Sequence, residues 1–240
     1  MLQEVFTIVA PVFTIAALGF IWHRRQQPFH TDTIGSLVMY IGSPCLIYSS
    51  LTSNSPSLTT LAQTASIAAF VIICSTAFAF AFLRVTGWSY RTYVPALVLP
   101  NGGNMGLPIC LLAFGETGLA LGMAYFFVNS ISQYTLGMAI SSGEFHLKQL
   151  LKQPVIWAVL LVLGVLATEF KMPQWIDSTA TILGGLTIPA MLLMLGTSLA
   201  NLNLSALRET FTVASTRLLL GLGLGVLAIW LFELEGILAG

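Results

Sequence analysis

Residues 91–115 read RTYVPALVLPNGGNMGLPICLLAFG, an apolar stretch with a polar, glycine-rich interruption at its centre. As helix, residues 91–100 would rise about 15 Å and residues 107–115 slightly less, so only the two halves together cross a bilayer core of about 30 Å. Residues 101–106 would then place irregular backbone at mid-membrane depth. Such backbone is tolerated there only where protein buries it or a wet cavity solvates it. The stretch therefore predicts a membrane span that is broken at mid-membrane.

The composition of the whole chain also indicates a membrane protein. Of its 240 residues, 56% are hydrophobic and 8% are Asp, Glu, Lys or Arg, whereas a soluble domain is about 25% charged. Nine acids balance nine bases without a basic cluster, which gives no indication of a nucleic-acid partner. The three cysteines and three histidines lack metal-ligand spacing, so we predict no metal, cofactor or disulfide.

Seven other apolar segments have lengths near that of a membrane helix. They are Leu2–Trp22, Thr33–Leu51, Leu58–Leu83, Glu116–Ser142, Pro154–Thr168, Trp175–Ala200 and Ala206–Phe232. With the broken stretch Arg91–Gly115 as the fourth span, the sequence predicts an all-α membrane protein with eight transmembrane segments.

The basic residues of the connecting loops predict the orientation. Seven of them fall on one side, namely Arg24, Arg25, Arg84, Arg91, Lys148, Lys152 and Arg208. Lys171 alone falls on the opposite side, and Arg217 lies inside the last span. Because basic loops stay in the cytoplasm, we predict a multi-pass protein of the inner (plasma) membrane with its N-terminus outside.

A weak internal repeat relates the two parts of the chain. An offset of 145 residues places Asp32 on Asp177 and Pro44 on Pro189, each proline lying inside a span. A unit of five spans is odd-numbered, so its second copy would be inserted upside down. We therefore predict three sections: a first five-span repeat (1–142, including the broken span 91–115), a cytoplasmic linker (143–153) and an incomplete second repeat with spans six to eight (154–240).

The same offset maps Pro100 to a position beyond Gly240. The counterpart of the broken span is therefore not among these residues. We expect the chain to be a truncated form of a ten-span, 5+5 inverted-repeat protein.

The broken span has a polarity that favours an anion. Pro108 suits the first turn of a second half-helix, where its missing N–H is no loss. Free backbone N–H groups around Met105–Ile109 would then point toward the membrane centre and attract negative charge. The carbonyls near Leu97–Leu99 would favour a cation or a water. Asn101 and Asn104 both donate and accept hydrogen bonds.

Other polar residues inside the spans are further candidates. Gly102, Gly103 and Gly106 would permit positive φ and close approach of a substrate. In span five, Tyr125, Asn129 and Gln133 recur at helical spacing and either line a cavity or bond to neighbouring helices. Arg217 either snorkels toward the cytoplasm or acts as a counter-charge for an anionic substrate.

The segment from Asn101 to Pro108, followed by Ala113–Leu119, resembles the first crossover of the auxin efflux carrier family of membrane transporters. By this resemblance, Pro100, Asn101, Asn104, Gly106 and Pro108 are crossover residues. The resemblance implies broken helices four and nine that cross at the substrate site. It also implies a mobile domain of spans three to five and eight, a scaffold of spans one, two, six and seven, and a homodimer.

We therefore predict a secondary transporter that moves a small organic anion by alternating access, with proton or sodium as the possible coupling ion. The candidate substrate-binding residues are Pro100, Asn101, Gly102, Asn104, Gly106, Pro108, Asn129, Gln133 and Arg217. The alternative is a non-transporting receptor or an inactive truncated remnant. An intramembrane enzyme is disfavoured, because all acids lie at or near segment ends and no Gly-x-Ser-x-Gly elbow occurs.

Overall fold

The computed structural model describes residues 2–54, 56–143, 147–168, 170–202, 207–234 and 236. These residues form helices and connecting turns, with no strand among them. The α-helices are α1 (Leu2–Arg24), α2 (Thr31–Leu37), α3 (Ser43–Asn54), α4 (Leu58–Thr86), α5 (Tyr90–Val98), α6 (Leu107–Ser132), α7 (Met138–Ser142), α8 (Leu147–Leu151), α9 (Pro154–Thr168), α10 (Gln174–Ala200) and α11 (Leu207–Phe232). Three π-helical turns adjoin them, at Val38–Gly42, Gly102–Gly106 and Gln133–Gly137.

The prediction of an all-α membrane protein is confirmed. Six helical segments in the described ranges are long and apolar enough to cross a membrane, and Pro154–Thr168 is a shorter apolar helix. One of the six runs from Tyr90 to Ser142 and contains both predicted spans four and five. Its helix is interrupted after Val98 and again at Gly115. The count of eight spans and the inverted repeat remain predictions.

Most predicted span boundaries lie within a few residues of the helix ends. The predicted start of the last span, Ala206, lies outside the described residues, and so does His146, one of the three histidines that were predicted to hold no metal. Within the predicted linker 143–153, the structure contains the short helix α8, while residues 144–146 are outside the described ranges.

The chain divides into two compact units. The first comprises Met1–Ser57, Asn101–Met123 and Gln153–Asn203, and the second comprises Leu58–Pro100, Ala124–Lys152 and Leu204–Gly240. The first unit thus takes predicted spans one, two, six and seven, and the second takes spans three and eight and most of span five. This grouping follows the one that the resemblance implied, except that the broken span is divided between Pro100 and Asn101 and span five between Met123 and Ala124.

In the first unit, α1 and α10 cross at glycines. A Cβ atom on Gly19 would overlap the carbonyl of Leu193, and one on Gly196 would overlap the carbonyl of Ala16. Small residues allow such close backbone approach, which provides much of the packing energy between helices in lipid. A buried tyrosine links α3 to α10 as well, because the Tyr48 hydroxyl donates a hydrogen bond to an Asp177 carboxylate oxygen at 2.5 Å.

In the second unit, α4 presents one buried stripe. Its buried residues recur every three or four positions and are Leu61, Thr64, Ala68, Ile72, Ser75, Ala79 and Leu83. Ile72, Ala79 and Leu83 form a core cluster with residues of α5. By contrast, α11 buries only Leu224 and Ala228 among its described residues, and Trp230 is 76% exposed. Exposed apolar surface of this kind is what a lipid-facing helix requires.

The two prolines that the repeat places at equivalent positions differ in their surroundings. A π-helical turn, Val38–Gly42, lies immediately before the turn that contains Pro44. Pro189 instead lies inside the continuous helix α10. The local geometry of the two spans is therefore not the same.

Candidate substrate site at the broken span

The first half of the broken span, α5, ends because of Pro100. A proline restricts the residue before it to extended backbone, and Leu99 has φ −93° and ψ 107°. The Leu99 amide still donates to the Pro95 carbonyl at 3.0 Å. Pro100 has no N–H, so the next helical bond, to the Ala96 carbonyl, cannot form. The carbonyl end of α5 therefore needs donors from elsewhere in the protein.

Two side chains from other helices supply these donors. Arg217 of α11 donates through Nη1 to the Ala96 carbonyl at 3.0 Å and through Nη2 to the Leu99 carbonyl at 2.8 Å. Asn129 of α6 donates through Nδ2 to the Pro100 carbonyl at 3.3 Å. All five residues belong to the second unit. We refer to Arg217 and Asn129 together as the α5 cap.

The predicted alternatives for Arg217 did not include this contact. A snorkelling arginine would extend its guanidinium toward water, whereas here both Nη atoms contact backbone carbonyls. Arg217 also lines a groove of about 770 Å³ along α5 and α11, together with Tyr93, Ala96 and Glu209 among others. A guanidinium has five N–H donors, so a role for Arg217 in anion binding stays a prediction.

The polar face predicted for span five is only partly present. Asn129 is 2% exposed, and its Oδ1 is buried without a donor within the described part of the chain. Gln133 is exposed and begins the π-helical turn Gln133–Gly137, which changes the helical spacing from that point. Tyr125 is half-buried. Asn129 and Gln133 therefore occupy different environments, although both were predicted to line one face.

The second half of the broken span begins earlier than predicted. Helical backbone resumes at Gly102 as a π-helical turn, in which the Met105 and Gly106 amides both donate to the Asn101 carbonyl, at 3.3 and 3.2 Å. The Leu107 amide donates to the Gly102 carbonyl. The prediction of free amides from Met105 onward is therefore wrong for these three residues.

The free amide end is instead formed by the first turn, residues 102–104. The first N–H groups of a helix have no partner within it, and the side chain of Asn101 does not cap this one. Asn101 is exposed and Asn104 is half-buried. The turn packs against α10 in the first unit. Partial positive charge at this end would favour an anion, so anion binding stays a prediction, with the amide end shifted toward the N-terminus from the predicted one.

The glycines of the turn do not use the positive φ that their residue type permits, and close approach of a substrate to them stays a prediction. None of Gly102, Gly103 and Gly106 has positive φ, because all three lie in the π-helical turn. The conformation that only glycine adopts readily occurs instead at Gly115, with φ 65° and ψ −159°. Gly115 ends the second half-helix at the predicted border between spans four and five. Pro108 is buried near the start of α6, just after the π-helical turn.

These features define a class: a helical membrane protein in which one span is broken into two half-helices with polar ends. A family model described as "Membrane transport protein" matches residues 4–144 and 138–240. The chain belongs to this family, the auxin efflux carrier family of membrane transport proteins. Comparison with curated proteins gives no match.

Proposed function

We propose that this membrane transport protein is a secondary carrier for a small organic anion and that it works by alternating access. The observation that supports the proposal is the uncapped first turn of the second half-helix, residues 102–104, in a chain of this family. Three consecutive amides of partial positive charge attract a carboxylate. Asn101 and Asn104 add side-chain donors and acceptors beside them.

The remaining candidate residues are proposed for substrate binding or for shaping the break. Pro100 interrupts the helix, while Gly106 and Pro108 shape the start of the second half. Gln133 and the N–H donors of Arg217 that do not contact α5 are proposed to contact the substrate during part of the transport cycle. Each is a proposal from residue chemistry.

The cellular setting is proposed from the distribution of basic residues and from the family. The seven basic residues of one set of loops support a cytoplasmic location for those loops and an outside N-terminus in the inner (plasma) membrane. A homodimer is proposed, with a proton or sodium gradient as the energy source.

Flux measured with purified protein tests the proposal. The 240-residue chain is reconstituted into phosphatidylethanolamine–phosphatidylglycerol vesicles, and uptake of radiolabelled succinate and benzoate is followed under imposed proton or sodium gradients. Saturable uptake above that of protein-free vesicles supports an anion carrier. Uptake of cationic solutes alone overturns the substrate class, and saturable binding without flux supports the receptor alternative.

A further inference from the structure

The carbonyl groups at the end of α5 lack hydrogen-bond donors from the helix itself. The last four carbonyls of any helix lack intrahelical donors, and each unsatisfied group in lipid costs several kcal/mol. Pro100 makes the Ala96 carbonyl one of them by removing the N–H that would continue the helix. The break is therefore stable only if other parts of the protein bond to this end.

The α5 cap supplies the missing donors in a specific geometry. The guanidinium of Arg217 spans two carbonyls that are three residues apart, Ala96 and Leu99, with one Nη on each. A fork of this kind requires the planar guanidinium, whereas a lysine offers a single point charge. The positive charge also complements the negative end of the α5 dipole.

Asn129 donates one hydrogen bond to the end of α5, but burial of its side chain has an energetic cost. Its Nδ2 bonds to the Pro100 carbonyl, but its Oδ1 is buried without a donor in the described residues. A buried unsatisfied acceptor opposes folding, so an apolar residue would suit this buried position better if stability were its only role. The side-chain amide of Asn129 is best explained by the Pro100 carbonyl that its Nδ2 holds in place.

We infer that Arg217 and Asn129 are positioning residues of the carrier, which fix the carbonyl end of the first half-helix through the Ala96, Leu99 and Pro100 carbonyls. They replace the helical bonds that Pro100 prevents. The position of the backbone immediately before Asn101 is thereby fixed. This inference holds for any solute that the carrier moves, because it concerns the protein's own backbone.

Hydrogen–deuterium exchange of the protein in lipid nanodiscs tests the inference without any solute. Arg217→Gln is expected to accelerate exchange of the Val98 and Leu99 amides about tenfold, since loss of roughly 1.4 kcal/mol of local stability corresponds to a factor of ten. Arg217→Lys is expected to restore part of the protection by supplying the charge without the fork. Arg208→Gln, an exposed arginine of the same helix, is the matched control and is expected to change nothing in α5.

A second substitution restores the backbone N–H that Pro100 lacks. Pro100→Ala provides an N–H that can bond to the Ala96 carbonyl, so Arg217→Gln in this background is expected to accelerate exchange less than about twofold. Should Arg217→Gln fail to fold, Asn129→Leu is expected to accelerate exchange about threefold in the same residues only.

Three results would overturn the inference: unchanged exchange at Val98 and Leu99, equal acceleration in every helix, or an undiminished Arg217→Gln effect in the Pro100→Ala background. Because exchange is measured without substrate, these results are separate from a failure of succinate or benzoate flux. That failure would count against the proposed function alone.

Discussion

The two helix ends on either side of the break differ in their side-chain hydrogen bonds. At the carbonyl end of α5, three carbonyls accept hydrogen bonds from the side chains of Arg217 and Asn129. At the amide end of the second half-helix, the first turn begins at Gly102 without a side-chain cap. Both ends carry partial charges of similar size and opposite sign.

Under the proposed function, this difference bears on which end would bind a ligand. A carbonyl end that already contacts a guanidinium gains little from a further cation, because like charges repel. An amide end without a cap gains from any anion that reaches it. We therefore propose that the carbonyl end of α5 is structural and that the amide end binds the ligand. The four predictions that follow test that proposal, in order of decreasing expected effect.

Asn104→Asp is expected to prevent an anion from binding at the amide end of the second half-helix. The new carboxylate lies in the first turn, where it competes for the free amides and repels an incoming anion by about 4 kcal/mol at 4 Å and an effective dielectric of 20. Initial rates of carboxylate uptake are expected to fall roughly a thousandfold. Asn104→Ala removes the amide without adding charge and is expected to lose only a few-fold. Equal losses in the two variants would argue against an anion at this end.

Arg217→Met is expected to destabilise the structural end. It removes two hydrogen bonds from a charged donor, each worth roughly 1.5–3 kcal/mol, and it leaves the Ala96 carbonyl without a donor. The free energy of unfolding is expected to fall by about 3 kcal/mol, which would lower the thermal midpoint by several degrees. Arg208→Met serves as the control, and a midpoint equal to that of the control would contradict the structural role.

Gly115→Ala tests the far end of the second half-helix. With φ 65° and ψ −159°, an alanine there is expected to cost about 1–3 kcal/mol of stability. Gly164→Ala on α9 is the comparison, because a Cβ atom at Gly164 meets nothing within 4 Å and alanine favours the helix by about 0.5–1 kcal/mol. Thermal midpoints that shift in the same direction for both variants would show that the helix does not turn at Gly115.

Asn129→Leu is expected to have the smallest effect on stability. The variant leaves the Pro100 carbonyl without its Asn129 donor, which costs about 1–3 kcal/mol, and removal of the unsatisfied Oδ1 offsets this by about 1–3 kcal/mol. Denaturation of the variant is therefore expected to match the unchanged protein to within about 1 kcal/mol. A loss above about 2 kcal/mol would mean that Asn129 makes a stabilising contribution beyond its bond to Pro100.

The sequence was sufficient to predict the helical membrane class and the position of the break. Both depend on local properties: the scarcity of charge, and a proline followed by glycines that interrupts an apolar helix. The border at Gly115 was also predictable, since glycine near the start of the next apolar segment is typical of a turn.

The sequence was not sufficient to predict the register of the amide end. Proline at position 108 favoured a helix start close to it, but the chain resumes helical bonding at Gly102 through a π-helical turn. That turn packs against α10, some 70 residues or more further along the chain. Contacts between distant segments decided the register, and single-sequence patterns do not contain them.

The contact between Arg217 and α5 was missed for a similar reason. Residues 217 and 96 are separated by 121 positions, and only the packed unit brings them together. A signal was nevertheless present in the sequence. A proline that removes a donor deep in one span and an arginine at comparable depth in another span together suggest a side-chain cap.

The most direct test of the central claim is amide exchange across residues 101–106 in nanodiscs, with and without succinate or benzoate, at matched ionic strength. If the uncapped first turn binds the anion, the amides of Gly102, Gly103 and Asn104 will be protected by the carboxylate and not by chloride, while Val98 and Leu99 stay unchanged. Protection confined to other segments, with residues 102–104 unaffected by either carboxylate, would contradict the account.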